Sequence, residues 1–213
     1  DSSQSMIIQV TDGFTLTAMF EPYLGGDTLD LVINEINYNS SDGFNPGDWI
    51  EIYNNGTDSV DISGYYFTDE NEDHRFTFPD SMIIDVGAYL VLSQDTNAFF
   101  NFFNDTSNIV GSFDFGLSGG GESISLYDIT GRRIDHLEYD DDAPWPTEPD
   151  GNGPTLELIS PDLPNDMAES WSFSSGNGTP GYINSVTESL KDQDENTLPT
   201  KYLLYPAYPN PFN

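Results

Sequence analysis

From residue 31 onward, apolar and polar positions alternate over short stretches divided by glycine, asparagine and aspartate. LVINEINYN is followed by the polar loop SSDGFNPGD and then by WIEIYN, ending just before Asn55-Gly56. VDISGYYFTD, HRFTFP, AYLVLSQ, SISLYD, RRIDHLEYD, TLELIS and SWSFSS continue the series. Phe76 and Phe78 fall on one side of their segment, with Arg75 and Thr77 on the other, and Ile124 and Leu126 alternate with serines. A period of two over so many short segments predicts strands. Many short strands joined by Gly, Asn and Asp turns predict an all-β sandwich or barrel around a single buried layer. One short helix is expected in TNAFFNFFND, with Thr96 as N-cap and Phe99, Phe102 and Phe103 on one face. Long helices do not separate the strands, which argues against an α/β fold.

The flanks differ from this pattern. MIIQVTDGFTLTAMF, residues 6–20, reads as two strands around the turn signal Asp12-Gly13. EPYLGGDTLD then reads as a linker, so residues 1–30 are expected to be the end of an upstream domain and its connection. The main pattern occupies 31–184, and SVTESLKDQDENTLPTK is polar and free of aromatics, which makes 185–200 a linker. The chain is therefore read as a piece of a larger protein.

Charge narrows the partners. Of 213 residues, 37 are Asp or Glu and only 5 are Lys or Arg, a net charge of −32. Such a surface repels phosphate backbones, which proteins engage by neutralising them with Lys and Arg. Nucleic acid and anionic membranes are disfavoured as partners. Divalent cations or cationic partners suit it better. No cysteine is present, which excludes a disulfide framework. No apolar run reaches the roughly 18 residues of a membrane-spanning helix, so no membrane insertion is expected.

The order of LVINEINYN, DWIEIYNNGTDSVDISGYYFTD, FTFPD, AYLVLSQD, FGLSGGGESISLYD, IDHLEYD and GTPGYIN resembles a lamin-tail domain of the bacterial extracellular type. APWPTEPDGNGPTLELI, residues 143–159, is similar to the long acidic, proline-containing loop of that group. The resemblance covers about 31–184 and implies an immunoglobulin-like β-sandwich that is not itself catalytic, in a multidomain secreted protein. KYLLYPAYPNPFN, residues 201–213, resembles the start of the sorting domain of the type IX secretion system, truncated after Asn213. Together these imply a binding or tethering module of a protein secreted or held on the outer surface of a bacterium. Its expected partners are the neighbouring domain of the same polypeptide and a cell-surface polysaccharide or matrix protein.

Candidate chemistry is sparse. Gly116-Leu117-Ser118-Gly119-Gly120 has the spacing of a nucleophile elbow, but an elbow needs a helix after its serine. Here Gly119-Gly120-Gly121 lead into the alternating ESISLYD, so Ser118 is expected in a glycine-rich hairpin connection. Glu35 and Glu51, each inside an apolar strand, are the candidate acids for a hydrolase. The competing expectation, implied by the resemblance, is that they face solvent or pin loop backbones. His74 and His136 read as strand-surface residues. Trp145, in the loop with Asp140-Asp141-Asp142 and Glu148, either caps the sandwich or stands exposed. With Tyr65 and Tyr66 it is the candidate ligand platform of a carbohydrate-binding module. Asp69, Asn71 and Asp73 have the spacing that opens a calcium loop. His74 stands where that loop needs glycine and Asp80 where it needs glutamate, so only a simpler calcium-stabilised turn is open to them.

Overall fold

The computed structural model of the protein describes residues 5–9, 15–19, 31–71, 73–104 and 108–187. The segment 201–213 and most of the expected linkers lie outside these residues. Two strands before the main pattern, β1 (Ser5–Gln9) and β2 (Thr15–Met19), pair antiparallel as the two apolar runs predict.

The rest is a two-sheet sandwich. One sheet has six strands, built on β3 (Leu31–Asn37), β4 (Trp49–Asn54) and β9 (Tyr89–Ser93). β10 (Ile109–Gly111) flanks β9 in parallel, while β13 (Leu156–Leu158) and β14 (Trp171–Phe173) extend the other edge antiparallel. The second sheet has four antiparallel strands in the order β12 (Arg133–Tyr139), β11 (Glu122–Tyr127), β6 (Tyr66–Thr68) and β7 (Phe76–Thr77). A separate pair, β5 (Val60–Asp61) with β8 (Ile83–Ile84), joins the connections.

Alternation explains the core. Ile36, Ile50, Ile52, Leu92 and Leu156 from the first sheet meet Phe67, Ile124, Leu126 and Leu137 from the second, all fully buried. Each such side chain contributes about 1.5–3 kcal/mol by leaving water. A polar clamp crosses the same gap. Asp135 on β12 accepts the backbone N–H of Ile33 at 2.6 Å, beside the bulge at Asn34, and the Asn165 amide at 2.6 Å. Burial raises its carboxyl to about 6, against the pull of those donors.

Two local expectations are corrected. The helix α1 runs only from Thr96 to Phe100, and its N-cap is Asp95, whose carboxylate accepts Asn97 and Ala98 N–H. A carboxylate there suits the positive end of the helix better than the Thr96 hydroxyl does. Phe102 and Phe103 lie beyond the helix, yet Phe103 still packs with Phe99 on Trp49. The glycine-rich stretch is no hairpin. It carries the chain from β10 in one sheet to β11 in the other, and Gly121 at φ +88 has Tyr139 O only 2.6 Å from where a Cβ would stand. Ser118 is an exposed loop residue whose Oγ accepts Gly120 N–H at 3.3 Å, and a strand follows it.

Candidate functional site

The single buried layer expected from the pattern is incomplete, because the outer face of the six-stranded sheet is covered too. Glu157, Glu35 and Glu51 stand opposite one another on β13, β3 and β4, so their side chains form one row across three strands. Neighbouring strands lie about 4.8 Å apart, just short of the roughly 5–5.5 Å between the carboxyl groups of retaining glycosidases. The two candidate acids are therefore brought together, with a third that the reading of the sequence missed. All three are fully buried.

What buries them is the segment 176–187, together with Trp49, Phe99 and Phe103 on α1's side. Thr179 N–H donates to Glu35 Oε1 at 2.9 Å, and Gly181 N–H to Glu51 Oε2 at 2.5 Å. Ser185 Oγ and Val186 N–H both donate to Glu157 Oε2, at 2.8 and 3.1 Å. Below the segment, Thr155 Oγ1 donates to Glu35 at 2.5 Å and the Asn34 amide to Glu51 at 2.9 Å. Asn184 pairs with Asn34 and reaches Leu158 O at 2.8 Å. Ser185, Val186 and Thr187, expected to begin a linker, are thus bonded to the sandwich.

Three carboxylates in a row with no cationic partner cannot all be ionised. Among the described residues, the ion pairs are His74 with Asp69 and Arg132 with Asp128, neither at this row. Thr179 Oγ1 makes the same point by counting protons. It lies 2.9 Å from Glu157 Oε1 and 3.3 Å from Glu35 Oε2, yet one hydroxyl hydrogen serves one of them. The other contact is satisfied when a protonated carboxyl donates to the threonine oxygen. Desolvation, with Glu51 and Glu157 nearby, holds Glu35 well above the ordinary carboxylate range. Burial pushes Glu51 up to about 8, against the pull of its two donors. The row has acid chemistry and no opening to solvent.

The other candidates separate. Trp145 is 9% exposed and packs against Trp171 at 6.2 Å, so it caps the sandwich. Tyr65 is half-buried against the core. Tyr66 lies on the outer face of the four-stranded sheet. There it stacks on Tyr127, its cross-strand partner, at 4.9 Å and 10°. The guanidinium of Arg75 lies 3.5 Å above the Tyr66 ring. Ser125 beside them is bonded to His136 at 2.9 Å.

Asp69, Asn71 and Asp73 do form a turn, held by its own hydrogen bonds. Asp69 Oδ1 accepts Asn71 N–H, Asn71 Oδ1 accepts Asp73 N–H, and Asp69 Oδ2 meets His74 Nδ1 at 2.6 Å. The His74 ring in turn stacks on Phe115 at 4.8 Å. Among the described residues, no three His, Asp or Glu side chains gather closely enough to hold a metal ion. With the side-chain oxygens of Asp69 and Asn71 engaged, calcium and chelator at matched ionic strength should give melting temperatures within about a degree. A calcium-dependent rise of several degrees that Asp69→Asn cancels would show that the turn rearranges around the ion.

The sequence profile of the lamin tail domain matches residues 26–141. The chain belongs to the lamin tail domain family. The match ends before β13, although β13 and β14 complete the same sheet. The lamin tail domain is an immunoglobulin-like binding module, and the family points to a non-enzymatic role. No curated protein matches the chain. A crystal structure of a DUF4876 family protein from Bacteroides thetaiotaomicron is similar at a TM-score of 0.44 and 10% identity, covering 70% of this chain and 68% of that one.

Proposed function

We propose that this lamin tail domain is a non-catalytic module that binds or tethers, within a larger protein secreted by a bacterium or displayed on its outer surface. The observation that carries this reading is the sealing of the carboxylate row. The groups best suited to acid chemistry are closed off and spent on holding a backbone segment, while an aromatic and hydroxyl-lined sheet face stays open. In this reading residues 1–30 end a neighbouring domain, and 201–213 open a type IX sorting domain. The word YPNPFN at 208–213 supports that second assignment and the extracellular location. Among the described residues, no helix is long and apolar enough to cross a membrane.

A carbohydrate ligand is the form of this reading that Tyr66 favours. Tyr66 and Tyr127 are the half-buried, solvent-facing aromatics of the open sheet, whereas Trp145 is packed away. Tyr66→Ala with Tyr127→Ala should lower retention on the bound polysaccharide about tenfold, the order expected when two stacking groups are lost. The melting temperature should move by only a few degrees. Turnover of activated esters or polysaccharides that Ser118→Ala or Glu51→Gln abolishes would overturn the non-catalytic reading.

A further inference from the structure

We infer that the outer face of the β12-β11-β6-β7 sheet is a binding site for a polysaccharide bearing carboxylate or sulfate groups, which rests on the module's binding a carbohydrate through this face. Charge is the first ground. The chain has 5 Lys and Arg against 37 Asp and Glu, and all three of its arginines, Arg75, Arg132 and Arg133, belong to this sheet or its turns. Arg132 is paired with Asp128 at 3.2 Å. Arg75 and Arg133 are exposed, and neither pairs with a carboxylate among the described residues. In so acidic a chain, cations left without acids on one face leave room for acids from outside.

Geometry is the second ground. Strand register places Thr77, Tyr66, Tyr127 and Arg133 in order across the four strands, with Thr68, Ser125 and His136 in the adjoining row, and Arg75, just before β7, lays its guanidinium over the Tyr66 ring. A guanidinium laid flat on a ring keeps its N–H edge free for a carboxylate or sulfate. Two strand spacings separate Tyr66, which carries the Arg75 guanidinium, from Arg133, about 10 Å, which suits successive acidic groups on an extended chain better than one small anion. The surface between them is lined by serine, threonine, tyrosine and histidine, partners for sugar hydroxyls. An acidic protein would rely instead on buried apolar anchors. Glu138, the carboxylate on this face of β12, lies at the far end of that strand from Arg133. The net charge of −32 does not cancel the local attraction, because at physiological salt charges beyond about 8 Å are largely screened.

The test titrates the full chain with polygalacturonate and its fully methyl-esterified form, with dextran sulfate and dextran, and with poly-glutamate. At least one charged polysaccharide is expected to bind tenfold or more tightly than its neutral counterpart. Arg75→Gln with Arg133→Gln should erase that difference and leave the melting temperature unchanged. Equal binding of charged and neutral forms, lost with Tyr66→Ala, would sink the charge inference and leave the carbohydrate module standing. Poly-glutamate binding as tightly as the better polysaccharide would replace the glycan with an acidic protein. No binding by any probe would overturn both.

Discussion

Stability should fall as pH rises from 5 to 9, and Glu51 should account for a large part of the fall. Its folded pKa of about 8 lies above the ordinary carboxylate value because burial penalises the charged form. The folded protein therefore keeps a proton that the unfolded chain releases near 4.5. By linkage, the full stability is present below about pH 4.5 and is lost as pH climbs through 8. For a shift of this size the loss is about 3 kcal/mol at pH 7 and nearer 5 kcal/mol at pH 9, as orders of magnitude. Glu35, raised still by burial and by its neighbours, acts in the same direction, as do Asp135 and Asp48 at about 6. Glu51→Gln keeps the shape and removes the proton, so its unfolding free energy should be lower than wild type at pH 5 and close to or above it at pH 9. Parallel stability curves for the two proteins between pH 5 and 9 would show that Glu51 does not titrate in the folded state.

Segment 176–187 should respond first. Its anchors at Thr179, Gly181, Ser185 and Val186 end on the three carboxylates, so a second ionisation in the row raises repulsion directly beneath it. Amide exchange of Thr179 and Gly181 should quicken at alkaline pH before the core strands do.

The strands were legible because each half-buried segment carries its period in plain view. Ile124 and Leu126 between serines, and Phe67 before Thr68, predict which side faces the core. The second covering layer was not legible. SFSSGNGTPGYIN has no apolar period, since its residues are held by their N–H groups and hydroxyls rather than by a hydrophobic face. Glu157 was missed for a different reason. It sits in TLELI as Glu35 sits in INEI and Glu51 in WIEI, a glutamate flanked by aliphatics. That repeated context was the available signal for a third member of the row. Thr96 took the place of Asp95 as N-cap because both are good caps, and only the backbone angles choose between neighbours. Tyr127 gave no sign of its stacking partner, because cross-strand register is invisible until the strands are paired.

Gly178→Ala should cost about 3 kcal/mol, the combined scale of a left-handed backbone and an overpacked site. Its φ is +100, in a region that alanine adopts only under strain. A Cβ there would stand 2.8 Å from Glu35 Oε1, 2.9 Å from Thr155 Cγ2 and 3.0 Å from Trp49 Cζ2. None of these has anywhere to go. Glu35 and Thr155 are fully buried and bonded to each other, and Trp49 is wedged against Phe99 and Phe103. The strain can be relieved only by lifting the segment, which gives up the bonds of Thr179 to Glu35 and of Gly181 to Glu51 and lets water reach the row. Gly176→Ala is the control, since nothing lies within 4 Å of its Cβ position and no positive φ is required there. Its effect should stay within about 0.5 kcal/mol. Denaturant unfolding of both variants, with hydrogen exchange across 176–187, separates the cases. Equal small effects would mean that the segment is not locked over the carboxylates. A Gly178→Ala protein that stays folded but exchanges freely at Thr179 and Gly181, and whose stability depends less on pH, is the expected result, because solvated glutamates return toward their ordinary pKa.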